Sequence, residues 1–315
     1  MLSSSRPTVQ DLKLRIGTRG SPLALAQARE LRRRLAAAHG VAEEALDIVV
    51  IKTTGDIILD RALSEAGGKG LFTKELDLAL MRGEIGIAVH SAKDLPTQLP
   101  DEIAILGYLP REDVRDAWIS PHAQHPLGLA AGSVVGTASL RRGAIVRRLR
   151  PDLNVVLLRG NVETRLAKLA GGEVDATLLA LAGLKRLGLE GKASALLNPE
   201  EFVPAAGQGA IAITARTGDD STRALIAPIL DQDTGLALAA ERAFLAVLDG
   251  SCKTPIGAYA RLEGGRLIFH ALVLKPDGSA CFEARVSGEP GEAIALGEGA
   301  GRDLISRIPP DLFED

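Results

Sequence analysis

The first two-thirds of this 315-residue chain repeat one pattern: a short apolar run, a polar turn, then a helix with an apolar stripe. KLRIG (13–17) reads as a buried strand, Thr18-Arg19-Gly20-Ser21-Pro22 as a turn, and 22–38 as a helix. Ser21 suits the N-cap and Pro22 the first helical position. Ala24, Ala28, Leu31 and Leu35 recur at helical spacing, and Gly40 makes a stop. Further strands are expected at 47–53, 86–90, 133–137, 154–160, 175–181 and 210–216, and helices at 73–82, 140–149 and 162–170. Such alternation argues for α/β domains with mainly parallel sheets. Residues 56–70 are less regular and end in Gly-Gly-Lys-Gly, which reads as a mobile loop. From about 228 the pattern changes to a long helix (235–248), three strand-like runs (256–263, 266–275, 281–287) and a last helix (292–307). Glu-Gly-Gly-Arg and Pro-Asp-Gly-Ser join the runs as hairpin turns, so this part reads as a small α+β domain with an antiparallel sheet. A second unit begins near residue 110, and the third part near 228.

Composition excludes several classes. A net charge of −3 and an aromatic share of 3% argue against a nucleic-acid binder. No apolar run approaches the roughly 20 residues of a membrane helix. The N-terminal stretch MLSSSRPTVQDLKL has no apolar region of the signal-peptide kind. With no export signal, Cys252 and Cys281 are expected as thiols and the protein in the cytoplasm.

Basic residues gather in the turns that follow the strands. Arg19 follows the first, Lys93 follows GIAVH, Arg141 and Arg142 follow SVVGT, Arg159 ends NVVLLRG, and Arg165 lies one turn into the next helix. Thr18, Ser21, Ser91, Thr137, Ser139 and Asn161 accompany them. Ligands of open α/β sheets bind at the carboxyl ends of strands, where helix N-termini offer free N–H groups. Arginine adds a two-pronged match to carboxylate or phosphate. Any one of these arginines could be a solvated charge or a structural ion pair; together they point to a polyanionic ligand in a cleft between two α/β domains. No G-x-x-x-x-G-K-[ST] or G-x-G-x-x-G follows the first strand, and His39, His90, His122, His125 and His270 are too scattered for a metal site. Asp94 lies among the cations, either as catalyst or as a capping or ion-paired acid. Cys252, in Gly-Ser-Cys-Lys-Thr-Pro, is either a reactive loop thiol beside Lys253 or a small buried hydrophobe; Cys281 reads as structural.

Eight stretches carry a resemblance: RIGTRGSPLAL (15–25), GGKGLFTKEL (67–76), IAVHSAKDLP (87–96), GTASLRR (136–142), LRGNVETRL (158–166), LAGLKRLGL (181–189), PAAGQGAIAI (204–213) and GSCKTPIGAY (250–259). In this order they resemble the porphobilinogen deaminase, or hydroxymethylbilane synthase, family. The resemblance implies a transferase of porphyrin and haem biosynthesis that condenses four porphobilinogen molecules head to tail, releases ammonia, and then frees the linear tetrapyrrole by hydrolysis. It implies a dipyrromethane cofactor joined by a thioether to Cys252, with Asp94 catalytic. It also implies two domains like those of type II periplasmic binding proteins, 1–109 with 210–227 and 110–209, and a third, 228–315, that carries the cofactor. Lys93, Asp94, Thr137, Ser139, Arg141, Arg142 and Gln208 would then bind the cofactor. Arg19, Ser21, Arg159 and Arg165 would bind substrate, and so would Lys69 on a mobile lid. No metal, nucleic-acid or membrane partner is implied, and a monomer is expected. Ala138 stands where many members have a second Ser, and Lys253 where others have a neutral residue. The rival class, a non-catalytic anion-binding protein of periplasmic type, leaves Asp94 and the Cys252 loop without a purpose.

Overall fold

The computed structural model describes residues 14–53, 72–248, 254–309 and 312. Its first elements are β1 (Arg15–Thr18), α1 (Pro22–His39), β2 (Asp47–Val50), α2 (Lys74–Met81), β3 (Ile87–Ser91) and β4 (Ile103–Tyr108). Next come β5 (Asp116–Ile119), β6 (Val134–Gly136), α3 (Leu140–Leu149), β7 (Asn154–Val156), α4 (Val162–Ala170), β8 (Ala176–Ala180), α5 (Leu181–Arg186) and β9 (Ala195–Leu196). The last are β10 (Ile211–Arg216), α6 (Asp220–Ile226), α7 (Gln232–Val247), β11 (Ile256–Glu263), β12 (Arg266–Leu274), β13 (Cys281–Gly288) and α8 (Ala293–Arg307). The described residues form two compact units: one holds 14–53, 72–111 and 210–232, the other 112–209 and the described residues from 233 onward.

The first unit is built on a sheet of order β2-β1-β3-β10-β4. The β1 strand runs parallel to β2 and β3, whereas β10 is antiparallel to β3 and β4. The expected mainly parallel sheet is thus half antiparallel. The reason lies in how AIAITAR arrives. It enters straight from the Gly207-Gln208-Gly209 turn, with no crossover helix to set it parallel. Helices cover both faces. Ala28, Leu31 and Leu35 of α1 pack on Ile16, Ile87 and Ile213, and Leu76 and Leu80 of α2 pack with Ile85, Ala88 and Ile103.

The second unit repeats the layout in a sheet of order β7-β6-β8-β5-β9, with β6 parallel to β7 and β8 and β5 antiparallel to β8 and β9. Its core joins Trp118, Val135, Ile145 and Leu178 to Leu272 and Leu274 of β12. The third sheet, β11-β12-β13, is wholly antiparallel, and α7 and α8 cover it through Phe244, Phe269, Ala300 and Leu304. The fold class is therefore two five-stranded α/β sheets plus a small C-terminal antiparallel sheet. Two expected strands stop three or more residues early: β2 ends at Val50, and β7 ends at Val156, so Arg159 stands in the loop before α4 rather than at a strand end. Gly160, at φ +116°, turns the chain there.

Candidate active site

In the first unit, the turn after β1 is tied down by its own hydroxyls. Thr18 Oγ1 donates to the Ala24 carbonyl at 3.1 Å, and Ser21 Oγ accepts from Ala24 N at 3.3 Å as the α1 N-cap. Between them Arg19 reaches out, its guanidinium carbon 4.0 Å from the centre of the Phe72 ring. Its Nη1 lies 3.8 Å from Asp94 Oδ2. Asp94 and Lys93 sit in the short 3₁₀ turn Ala92–Asp94 directly after β3. Asp94 is thus partnered by Arg19, in a long and partly exposed pair that holds it weakly. Ser91, ahead of that turn, spends its side chain on Gln27 of α1, whose Nε2 donates to Ser91 Oγ at 2.9 Å. His90 is buried with Nε2 2.9 Å from Thr214 Oγ1; burial, and then the Arg19 charge, bring its pKa down to about 3. The ring is therefore neutral at physiological pH and adds no charge to the turn.

In the second unit, the turn after β6 is nested in the same way. Thr137 Oγ1 accepts from Ser139 N at 3.1 Å, and Ser139 Oγ accepts from Arg142 N at 3.3 Å as the α3 N-cap. Arg141 and Arg142 are not solvated: they are 4% and 5% exposed. Arg141 Nη2 donates to Asp116 Oδ2 at 2.8 Å and Nη1 to the Val203 carbonyl at 2.7 Å. Arg142 Nη2 donates to Asp116 Oδ1 at 2.7 Å and Nη1 to the Leu178 carbonyl at 3.1 Å. Burial alone would raise the Asp116 carboxyl, but the two arginine charges and hydrogen bonds from Arg142 and Gln208 outweigh it. They hold Asp116 well below the usual carboxylate range. Gln208 Nε2 donates to Asp116 Oδ1 and to the Val114 carbonyl, both at 2.7 Å. After these bonds, the buried Nε of Arg141, the buried Nε of Arg142 and Nη1 of Arg159 have no hydrogen-bond partner among the described residues. Arg165 Nε donates to the Gly160 carbonyl at 2.8 Å.

The structure thus brings Arg19, Ser21, Lys93 and Asp94 to the strand ends of one unit, and Thr137, Ser139, Arg141, Arg142 and Gln208 together in the other. Lys69 and Cys252 lie outside the described residues. Cys281 is half-buried, and burial together with Glu283 pushes its thiol up to about 11, which keeps it protonated and inert. Sequence reasoning missed Asp116, Gln27 and Phe72. The signal for Asp116 was present: an acid opening the otherwise apolar strand Asp-Ala-Trp-Ile needs a buried cation.

Strand-end turns of this make, rich in guanidinium and hydroxyl groups around one carboxylate, define an α/β protein equipped to hold anions. Residues 14–224 match the family model of the porphobilinogen deaminase, dipyromethane cofactor binding domain, and residues 236–306 that of the porphobilinogen deaminase C-terminal domain. Porphobilinogen deaminases of Nitrobacter hamburgensis and Nitrobacter winogradskyi are 57% and 56% identical over 303 residues, 96% of this chain and 96% of each relative. Among solved structures, the chain is similar to a putative methionine-binding lipoprotein of Bacillus subtilis at 12% identity, covering 70% of this chain and 90% of that one, with a TM-score of 0.42. The chain belongs to the porphobilinogen deaminase family.

The residues present fit the cofactor of that family. A dipyrromethane carries acetate and propionate groups, which are acceptors only. The unspent N–H groups of Arg141, Arg142 and Arg159 are donors only. Left unpaired in the interior, such donors are costly, and a carboxylate satisfies them. Among the described residues no helix is long and apolar enough to cross a membrane.

Proposed function

We propose that this protein is a hydroxymethylbilane synthase, joining four porphobilinogen molecules head to tail with release of ammonia and then freeing the linear tetrapyrrole by hydrolysis. The observation that carries the reading beyond family membership is the pair of buried guanidiniums at the α3 N-terminus with an N–H still unspent on each. Bound through a thioether to Cys252, the dipyrromethane supplies the pyrrole carbon to which new units are added. Arg141, Arg142, Thr137, Ser139 and Lys93 hold its carboxylates and orient it, and Gln208 serves the cofactor through Asp116, which it shares with the two arginines. Arg19, Ser21, Arg159, Arg165 and Lys69 take the acetate and propionate groups of incoming porphobilinogen. Asp94 is the catalytic residue. As ammonia leaves, positive charge develops on the substrate's pyrrole nitrogen, and a carboxylate beside that nitrogen stabilises it while accepting its N–H. The weak pair with Arg19 leaves Asp94 able to turn from the guanidinium to the substrate. The working division is three domains, 1–109 with 210–227, 110–209 and 228–315, in a cytoplasmic monomer.

Intact mass tests the reading. The purified protein should weigh more than its chain by one dipyrromethane, Cys252→Ser should have the bare mass, and Cys281→Ser should keep the adduct. An adduct mapped to Cys281, or none in protein that turns over porphobilinogen, sinks the assignment.

A further inference from the structure

Glu241 of α7 is wholly buried at 0% exposure, yet nothing in the reaction just described uses it. Its Oε2 accepts from Gly207 N at 2.7 Å and its Oε1 from Ala260 N of β11 at 2.8 Å. It thereby ties the third sheet to the turn that precedes β10. That turn is Gly207-Gln208-Gly209, with both glycines in the left-handed region at φ +76° and +88°. Gln208, held between them, is 1% exposed and sends its side chain to Asp116, while its Oε1 accepts from Arg142 Nη2 at 3.5 Å. Asp116 in turn grips both guanidiniums.

We propose that Glu241 is a positioning residue for the Arg141–Arg142 pair, acting through the Gly207–Gln208 turn and Asp116. The proposal rests on the reading that this pair holds carboxylates. Its physical basis is the direction of each bond in the series. A carboxylate is acceptor-only, so it can receive two converging backbone N–H groups where a glutamine amide would set its own N–H₂ against one of them. Capturing Gly207 N fixes the height of Gln208. The Gln208 amide must then meet Val114 and Asp116 at once, at 2.7 Å each. A shift of the turn by a few tenths of an ångström reaches Asp116, and with it the two Nε–H groups that stay unspent. A buried carboxylate is an expensive way to fill space, since an apolar side chain of the same volume serves packing as well or better. Its presence between two N–H donors points to geometry as its task.

The test uses the holoenzyme with Glu241→Gln, and with Glu241→Asp as the milder variant should the first not fold. The first readout is the ¹⁵N spectrum of the arginine Nε–H groups. The resonances of Arg141 and Arg142 should shift and exchange faster with water, while that of Arg216, on β10, stays put. The second is cofactor loading: by intact mass, the fraction of chains purified without the dipyrromethane should rise about five- to twentyfold, as expected when anchoring of the cofactor's carboxylates loosens. Unmoved Arg141 and Arg142 resonances with unchanged cofactor loading in a merely less stable protein overturn the proposal. Shifted resonances with full cofactor loading would support the relay and instead overturn the carboxylate-binding reading of the pair.

Discussion

Asp94 and Asp77 show how the same side chain takes opposite roles by surroundings. Asp94 is partly exposed beside Arg19 at the end of β3. Asp94→Asn keeps the shape and loses the charge, so it should fold normally yet lose on the order of 10²–10³ in turnover, the size of one lost electrostatic stabiliser. Asp94→Glu should keep some activity. Single-turnover ammonia release, measured with thermal unfolding on the same samples, checks both; a stable Asp94→Asn protein at wild-type turnover refutes the catalytic role. Asp77 of α2 is 4% exposed with Oδ1 unpartnered among the described residues, and burial, against a hydrogen bond from Thr73, pushes its pKa up to about 6. The unfolded chain loses this proton near 3.8, the folded one near 6. Between those values the folded state binds the proton more tightly, so its stability falls as pH rises, and the loss is complete above about 6. Asp77→Asn should therefore stabilise the protein at pH 7.5 by on the order of 1–3 kcal/mol and by little near pH 4. Urea unfolding at the two pH values decides it: a pH-independent difference would mean Asp77 does not titrate as its burial implies. At this scale the sequence was informative about the cations, because their spacing after strands is local. It was silent about Asp116 as their partner, because the 25 residues from Asp116 to Arg141 are bridged only by folding.

Elements were legible where their signals were local. The Ser21-Pro22 start of α1, the Ser139 cap of α3 and the two hairpin turns of the third sheet all stand where the caps and turn residues put them. The β4, β5 and β9 strands and the short α5 and α6 helices were not read. Each is two to seven residues long, too short for periodicity to declare itself. Strand direction was not legible either, since β10 and β5 owe their antiparallel sense to how the chain enters the sheet. The turn between β12 and β13 does more than reverse the chain. Arg147 of α3 donates to the Pro276 carbonyl at 3.1 Å and to the Val155 carbonyl at 3.2 Å. Gly278, at φ +81°, lies so close that a Cβ there would sit 2.5 Å from Arg148 N and 2.8 Å from the Ala144 carbonyl. Gly278→Ala should therefore cost roughly 1–3 kcal/mol or more, from backbone strain and forced displacement of α3 together. The midpoint of urea unfolding reads this directly; a neutral substitution would show that the turn does not seat on the helix.

Among the described residues, the second unit leaves buried guanidinium N–H groups of Arg141, Arg142 and Arg159 unspent, donors of the kind the proposed anionic cofactor would take up. Loss of the cofactor should therefore be felt as loss of stability. The Cys252→Ser apoprotein should unfold at lower temperature than the holoenzyme, since each charge-assisted hydrogen bond to a carboxylate contributes roughly 1.5–3 kcal/mol. Equal melting temperatures for the two forms would mean that the buried guanidiniums are satisfied without it. The chain path of the first sheet has a different consequence. Between β3 and β4, next to the edge of that sheet, lies β10, which is encoded about a hundred residues after β4. A ribosome making this protein therefore completes Glu112–Gly209, a contiguous stretch carrying the whole second sheet, before the strand that closes the first sheet has been synthesised. Until then β3 and β4 have no neighbour to share, and their unpaired N–H and C=O groups form a sticky edge in the nascent chain. The order of synthesis is thus the reverse of the order of completion for these two sheets: the sheet begun first is finished second.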